Sequence, residues 1–364
     1  MDNVFPIGLP AATAFYVTLY VLTFALHQAL MHYVLAGSLF VTLHMMLGRG
    51  ETGTPARRLP ADLLRDWMPF MLSAAITAGV APLLFVQILY QHEFYTANLL
   101  LAWRWMVVIP VLIVAFYLLY LLKSQRLLHW ARPARVAVAA LASVGFVFVG
   151  FCWTANYLLS VSESSWADIY VSGSLPFDAV DVGSRMLVWL GGAFASMAMF
   201  VGWQLAGFES ASPDRIDVED AAAGPRSLAI AALGGLAAAV VGGAILLGRA
   251  DAELRQLLFG VAGGPYLAAA VAGVVAQAWG WIAVRRRGAI TRLRLAVVTV
   301  GWIVALVSVS VMRELARLAS LSLERLGADH AMAAEFGGFT LFLLFAVLNF
   351  GAIAAVVWIV RRSL

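Results

Sequence analysis

The sequence predicts an all-α, polytopic membrane bundle of about nine transmembrane helices, N-terminus outside and C-terminus inside. Three observations carry this. Of 364 residues, 63% are hydrophobic and only 12% are charged, and the mean hydropathy is +0.89; a water-soluble domain has no use for so much apolar surface. The apolar residues fall in runs of about 20 or more, enough to cross a bilayer as a helix, without the alternation of barrel strands. The arginines gather in alternate loops, which sets orientation. Inside a bilayer each backbone polar group is satisfied within its own segment, so the spans are helices.

The spans run over 13–47, 67–91, 97–122, 136–160, 184–208, 227–248, 259–284, 294–317 and 337–360, with charge and turn residues at the breaks. The first apolar stretch, 11–47, has no Asp, Glu, Lys or Arg. It exceeds one bilayer crossing, so it is either a tilted span with an extra turn or an interfacial lead-in joined to a span. Arg49, Arg57, Arg58 and Arg65 follow the first span; Lys123, Arg126, Arg132 and Arg135 follow the third. Arg285, Arg286, Arg287, Arg292 and Arg294 follow the seventh, and Arg361 and Arg362 the ninth. Nine spans place all of these on one side. The other side takes Asp2 and the 162–183 loop with Glu163, Asp168, Asp178 and Asp181. The 209–226 loop is acidic yet falls on the basic side; acidic residues weigh little in the positive-inside rule.

Spans six and seven are rich in Gly and Ala (LAIAALGGLAAAVVGGAILLG; GVAGGPYLAAAVAGVVAQAWGW). Small residues allow close helix approach, to neighbours or to a partner subunit. Trp166 and Tyr170 suit the membrane interface or a partner. The chain reads as a single transmembrane domain over 1–364. The charge of +4 follows loop topology, so no nucleic-acid partner is expected. One cysteine, Cys152, excludes an intrachain disulfide and any multi-cysteine metal site, and no CxxCH occurs. The N-terminal MDNVFPIGLP lacks a basic region, so no cleaved signal peptide is expected. No nucleotide loop, nucleophile triad or paired carboxylates occur, nor an acidic group at the centre of a span, which argues against a proton-driven transporter.

The polar residues inside spans are the functional candidates. His27, His32 and His44 all lie in the first span. His27 and His32 are five residues apart, about 500° of rotation, and point to different sides. His32 and His44 are separated by about 18 Å of rise. The three cannot share one metal, so a haem would be five-coordinate or take a ligand from another helix. Each is otherwise a packed, hydrogen-bonded imidazole. Gln28 shares the face of His32; Met31 shares that of His27 and reads as packing. Arg104, between Trp103 and Trp105, is expected two turns into the third span, with Arg185 at the start of the fifth and Arg313 and Glu314 in the last turns of the eighth. Arginines converging at one depth would suit an anionic ligand such as haem propionates or lipid phosphate. Alternatively Arg313 and Glu314 pair with other charges, and Arg104 snorkels outward. Trp153 and Asn156 lie toward the outer end of the fourth span. Gln277 and Asn349 read as interhelical hydrogen-bonding groups. His92 and Glu93 read as a solvated turn or a proton relay, and His129 and His330 as loop residues.

Five stretches, in order, resemble subunit I of the cytochrome bd quinol oxidases. They are ALMHYVLAGSLFV around His32, MLSAAITAGVAPLLFVQILYQHEFY, LLLAWRWMVVIPVLIVAFYLLYLL, FCWTANYLLSVSES and TVGWIVALVSVSVMREL, about half of the chain. In that family the first carries a haem ligand next to a Tyr, and nine spans with an outside N-terminus match its fold. The resemblance puts His32 at a family ligand position. Elsewhere this chain departs: the family's histidine in span five corresponds to the neighbourhood of Val188, its acidic residue in span three to Arg104, and the glutamate after Gly-Trp to Leu306 or a neighbour. The quinol-binding loop is reduced to 248–258.

The resemblance thus implies a divergent bd-like subunit of a redox complex in a bacterial inner membrane, with one or two b haems at most and His32 (haem iron) as ligand. It would pass electrons between a quinone and an external partner, beside other integral membrane subunits such as a bd-like homologue, or periplasmic cytochromes. It would not reduce oxygen alone. The competing reading is a cofactor-poor subunit that anchors a larger assembly; a transporter ranks third.

Overall fold

The computed structural model describes residues 9, 11–48, 55–174, 178–211 and 222–334, with 340, 343, 344, 347, 348 and 351 beyond them. All regular structure among these is helical. Among the described residues eight helices are long and apolar enough to cross a membrane, so the chain is a multi-pass membrane bundle. The ninth expected span, 337–360, lies almost wholly outside the described residues, as do Asp2, Arg49, Asn349, Arg361 and Arg362.

Helix α1, Ala11–Met46, is 36 residues, about 54 Å long. It has no charged residue and no proline to interrupt it, so it runs unbroken well past one hydrocarbon thickness. Helix α2, Pro55–Leu89, follows with Pro60, Pro69 and Pro82 inside it. Next come α3 (Gln91–Leu101), α4 (Trp103–Met106), α5 (Val108–Lys123), α6 (Gln125–Leu128) and α7 (Arg132–Ser160). A short 3₁₀ turn and α8 (Trp166–Ser172) lead to α9 (Ala179–Ala211) and α10 (Ala223–Arg249). The remainder is α11 (Ala252–Phe259), α12 (Gly264–Arg287), α13 (Arg292–Ala319) and α14 (Leu323–Ala334).

The expected third span needs a correction. The chain breaks at Ala102, whose φ is +51°, a backbone region that costs an alanine about 1–3 kcal/mol. Its N–H closes α3 on the carbonyls of Asn98 and Leu99. Hence 91–101 is a separate helix, the crossing starts at Trp103, and Arg104 sits in its first turn rather than two turns in.

Helix α1 is the hub. It packs against α2, α7, α9 and α13, which is why Tyr33, Val34, Leu35 and Ala36 are all buried in succession. Paired contacts give directions: Phe24 meets Trp189 and Tyr33 meets Phe200, so α9 runs parallel to α1. His27 meets Ala75, while Tyr16 meets Phe85, so α2 runs antiparallel. Outward faces carry large exposed apolar side chains, including Leu26, Phe70, Ile109 and Val144. A surface of that kind belongs in lipid.

The Gly/Ala-rich helices pack closely within the chain. At Gly235 in α10 an added Cβ would lie 2.6 Å from the Phe194 Cβ; at Gly242 it would lie 2.6 Å from the Ser184 carbonyl oxygen. Helices α9 and α10 therefore cross almost backbone to backbone. Gly301 of α13 packs in the same way on α12, where an added Cβ would lie 3.0 Å from the Ala276 Cβ.

Candidate functional site

The three histidines of α1 go to three different places, as their helical spacing requires. His27 turns toward α2, where Nδ1 lies 2.9 Å from the Ala75 carbonyl oxygen. Gly79 gives the ring room, since a Cβ there would stand 2.9 Å from His27 Cε1. This pins α1 to α2. His44 is buried near the C-terminal end of α1, stacked on Phe40.

His32 is buried between α1, α9 and α13. Its Nδ1 lies 3.0 Å from Ser196 Oγ. That hydroxyl also receives the Trp302 Nε1–H at 2.7 Å and lies 2.9 Å from the Gly192 carbonyl oxygen. A serine has one proton to give. Given to Gly192, it leaves Ser196 Oγ as an acceptor toward His32, so the proton on the imidazole is at Nδ1. Nε2 then presents a lone pair, and it is buried without a hydrogen-bond partner among the described residues. Gly192 lies beside the same ring, where even a Cβ would come no closer than 3.8 Å to Cε1. One turn away, Gln28 Oε1 accepts from Ser310 Oγ of α13 at 3.1 Å.

A second cluster lies toward the N-terminal end of α1. Glu314 of α13 is buried, accepts a hydrogen bond from the Tyr90 hydroxyl, and has Oε2 4.0 Å from both Arg313 and Arg317. The Arg317 guanidinium, also buried, faces the rings of Tyr90 at 4.6 Å, Tyr157 at 5.1 Å and Tyr20 at 5.7 Å. Arg313 faces Tyr157 at 4.5 Å and Phe24 at 4.6 Å, and donates to the Tyr20 hydroxyl at 3.3 Å. Arg185 of α9 approaches the same Tyr157 ring at 5.8 Å. Two cations, Arg313 and Arg317, thus share one carboxylate, and aromatic faces supply the rest of the compensation.

Of the arginines expected at one depth, Arg313 and Arg185 both lie against the Tyr157 ring. Arg104 stands apart: its guanidinium lies over Trp103 at 5.0 Å, and its carbonyl accepts from Cys152 Sγ at 3.6 Å. Asn156 donates to Asn98 at 2.7 Å and so joins α7 to α3. Glu93 is no solvated turn residue. It is buried and takes Arg325 at 3.1 Å, while the same guanidinium holds Glu163 at 2.9 Å. His330, expected in a loop, is buried within α14 and bonds Thr13 Oγ1 at 3.0 Å; burial pushes its imidazole below the ordinary value.

Sequence reasoning missed Ser196, Trp302, Arg317, Arg325 and the three tyrosines. Arg317 had a signal: in Arg313-Glu314-x-x-Arg317 the second arginine follows the acid at i,i+3 on one helix face. Ser196 had none.

The Arg325–Glu163 pair makes a pH prediction. Hydrogen bonding to Arg325 holds the Glu163 carboxyl below its ordinary value of 4.5. A depressed folded value stabilises the fold above the unfolded one and is lost as pH falls through the folded one. Wild type and Glu163→Gln are expected to differ in thermal midpoint at pH 7 and to converge on acidification below about pH 4. A gap unchanged from pH 7 to 3 would contradict the pairing. The pair is exposed, so the gap is small.

Comparison with known protein families, curated proteins and solved structures gives no match. Among the described residues no three His, Cys, Asp or Glu side chains gather to hold a metal ion. A haem would ask for one or two axial donors; His32 Nε2 is a buried nitrogen with no hydrogen-bond partner among the described residues.

Proposed function

We propose that the chain is a membrane subunit of a redox complex, holding a b-type haem through His32 and passing electrons between a quinone and a partner outside a bacterial inner membrane. One observation carries the reading: the buried Nε2 of His32, turned into a donor by the Ser196–Trp302 hydrogen bonds behind it. Metal-binding histidines have their other ring nitrogen fixed in this way. When bound, a haem supplies one-electron transfer. The chain's own part is to hold the imidazole in one tautomer, keep water from it, and place the cations Arg313, Arg317 and Arg185 toward the N-terminal end of α1, where the carboxylates of a haem would be neutralised. The order of the bd-like stretches around His32 supports the same reading, and loop arginines support an outside N-terminus.

A second reading is a cofactor-poor anchoring subunit. It is favoured by the Glu314 cluster, whose charges are already met by tyrosine rings. A reduced-minus-oxidised spectrum of the purified chain separates the two. A b-type band is expected, lost in His32→Ala and kept in His44→Ala. Well-folded wild-type protein with no such band would sink the redox reading.

A further inference from the structure

At the end of the bundle opposite the Glu314 cluster, a cavity of about 260 Å³ opens between α1, α2 and α7. Its polar lining is Arg58, Asp62, Arg65, Arg132, Arg135 and His44. Four arginines and one carboxylate therefore face this cavity. Asp62 is already taken by Arg65, at 3.2 Å. Arg132 has a local task as well, donating to the carbonyl oxygens of Met45 and Met46 at the end of α1. Arg58 makes no hydrogen bond among the described residues and lies half-buried on the cavity wall. Like charges held together at a membrane surface are unfavourable unless an anion joins them, and guanidinium groups in this number match the several oxygens of a phosphate.

The walls say where the phosphate comes from. Val41, Ala61 and Val136 make the cavity's apolar side. Near the cavity lie Leu43 and Met46 on α1, Leu47 just after it, and Trp67 and Phe70 on α2, all exposed. A headgroup in the cavity therefore has lipid-facing apolar surface beside it for acyl chains, and a tryptophan of the kind that sits at headgroup depth. Basic pockets between helices at this end, the end the arginine count assigns to the cytoplasmic leaflet, take anionic headgroups.

We propose that this cavity binds the phosphate of an anionic phospholipid, with Arg58 and Arg135 as headgroup ligands. The site is independent of any haem at His32. The test is native mass spectrometry of the full chain in detergent, with added phosphatidylglycerol, phosphatidylcholine or inorganic phosphate. Wild type is expected to retain phosphatidylglycerol in preference to phosphatidylcholine. Arg58→Gln/Arg135→Gln is expected to reduce that retention about tenfold or more, whereas Arg285→Gln/Arg286→Gln, at a separate basic turn, leaves it unchanged. Arg58→Glu is the second variant: among the described residues Arg58 makes no hydrogen bond, so loss of retention with an unchanged thermal midpoint speaks for the site itself. Equal retention by wild type and the Arg58 variants overturns the proposal. So does equal retention of the two lipids, or saturation by inorganic phosphate with no lipid bound, which would make this a site for the free ion.

Discussion

Replacing Glu314 with alanine is expected to destabilise the folded chain by about 3–5 kcal/mol, among the largest effects of any single substitution in it. Glu314 is 2% exposed and Arg317 is 3% exposed. Deleting the carboxylate strands Arg317 as a buried cation, leaves Arg313 beside the Tyr157 ring without that anion, and removes the acceptor of the Tyr90 hydroxyl. Arg317 retains three ring faces, each worth about 0.5–2 kcal/mol, so the helix is strained but not emptied of compensation. Removing both charges, in Glu314→Leu/Arg317→Leu, is expected to cost less than the single Glu314→Ala change, because no uncompensated charge remains. Unfolding in detergent micelles measures both. Equal and independent losses from the two sites would show that they are not coupled, against the geometry.

Neighbouring glycines in α10 are expected to respond with opposite sign. Gly235→Val drives a branched side chain into the backbone and Cβ of α9, whose Phe194 Cβ stands 2.6 Å from the position of the first added carbon. The helices have to separate, at a cost of about 3 kcal/mol or more. At Gly234 an added Cβ meets nothing within 4 Å. There Gly→Ala removes only backbone freedom from the unfolded chain, a gain of about 0.5–1 kcal/mol. Thermal midpoints of the two variants, measured side by side, decide it. A tolerated valine at 235 would mean that α9 and α10 are not in close contact.

The bundle was legible in the sequence because membrane spans are a matter of length and polarity, both local. The same locality failed at Ala102. Alanine is the best of helix formers, and nothing in LLLAWRWMVV marks a break; it shows only in three dimensions, where α3 packs on α7. The histidines were legible in what they could not do, since 500° of rotation separates any two residues five apart on a helix. Their partners were not. Ser196 is 164 residues from His32, and Trp302 is 106 from Ser196. Serines and tryptophans are too common in apolar helices to single these out. The charges behaved in an intermediate way: Arg313 and Glu314 drew attention as ions in a span, whereas Glu93 looked like an ordinary turn residue until Arg325 was placed 232 positions away.

The long sequence separations around His32 also order events in time. Chains enter the membrane from the N-terminus as they are made. The His27 bond to Ala75 lies within the first two helices, 48 residues apart, so α1 and α2 can close on each other early as a hairpin. The surroundings of His32 wait for α9 to bring Ser196 and then for α13 to bring Trp302 and Ser310. During most of synthesis this imidazole therefore faces an unfinished bundle, and its enclosure is among the last events of assembly.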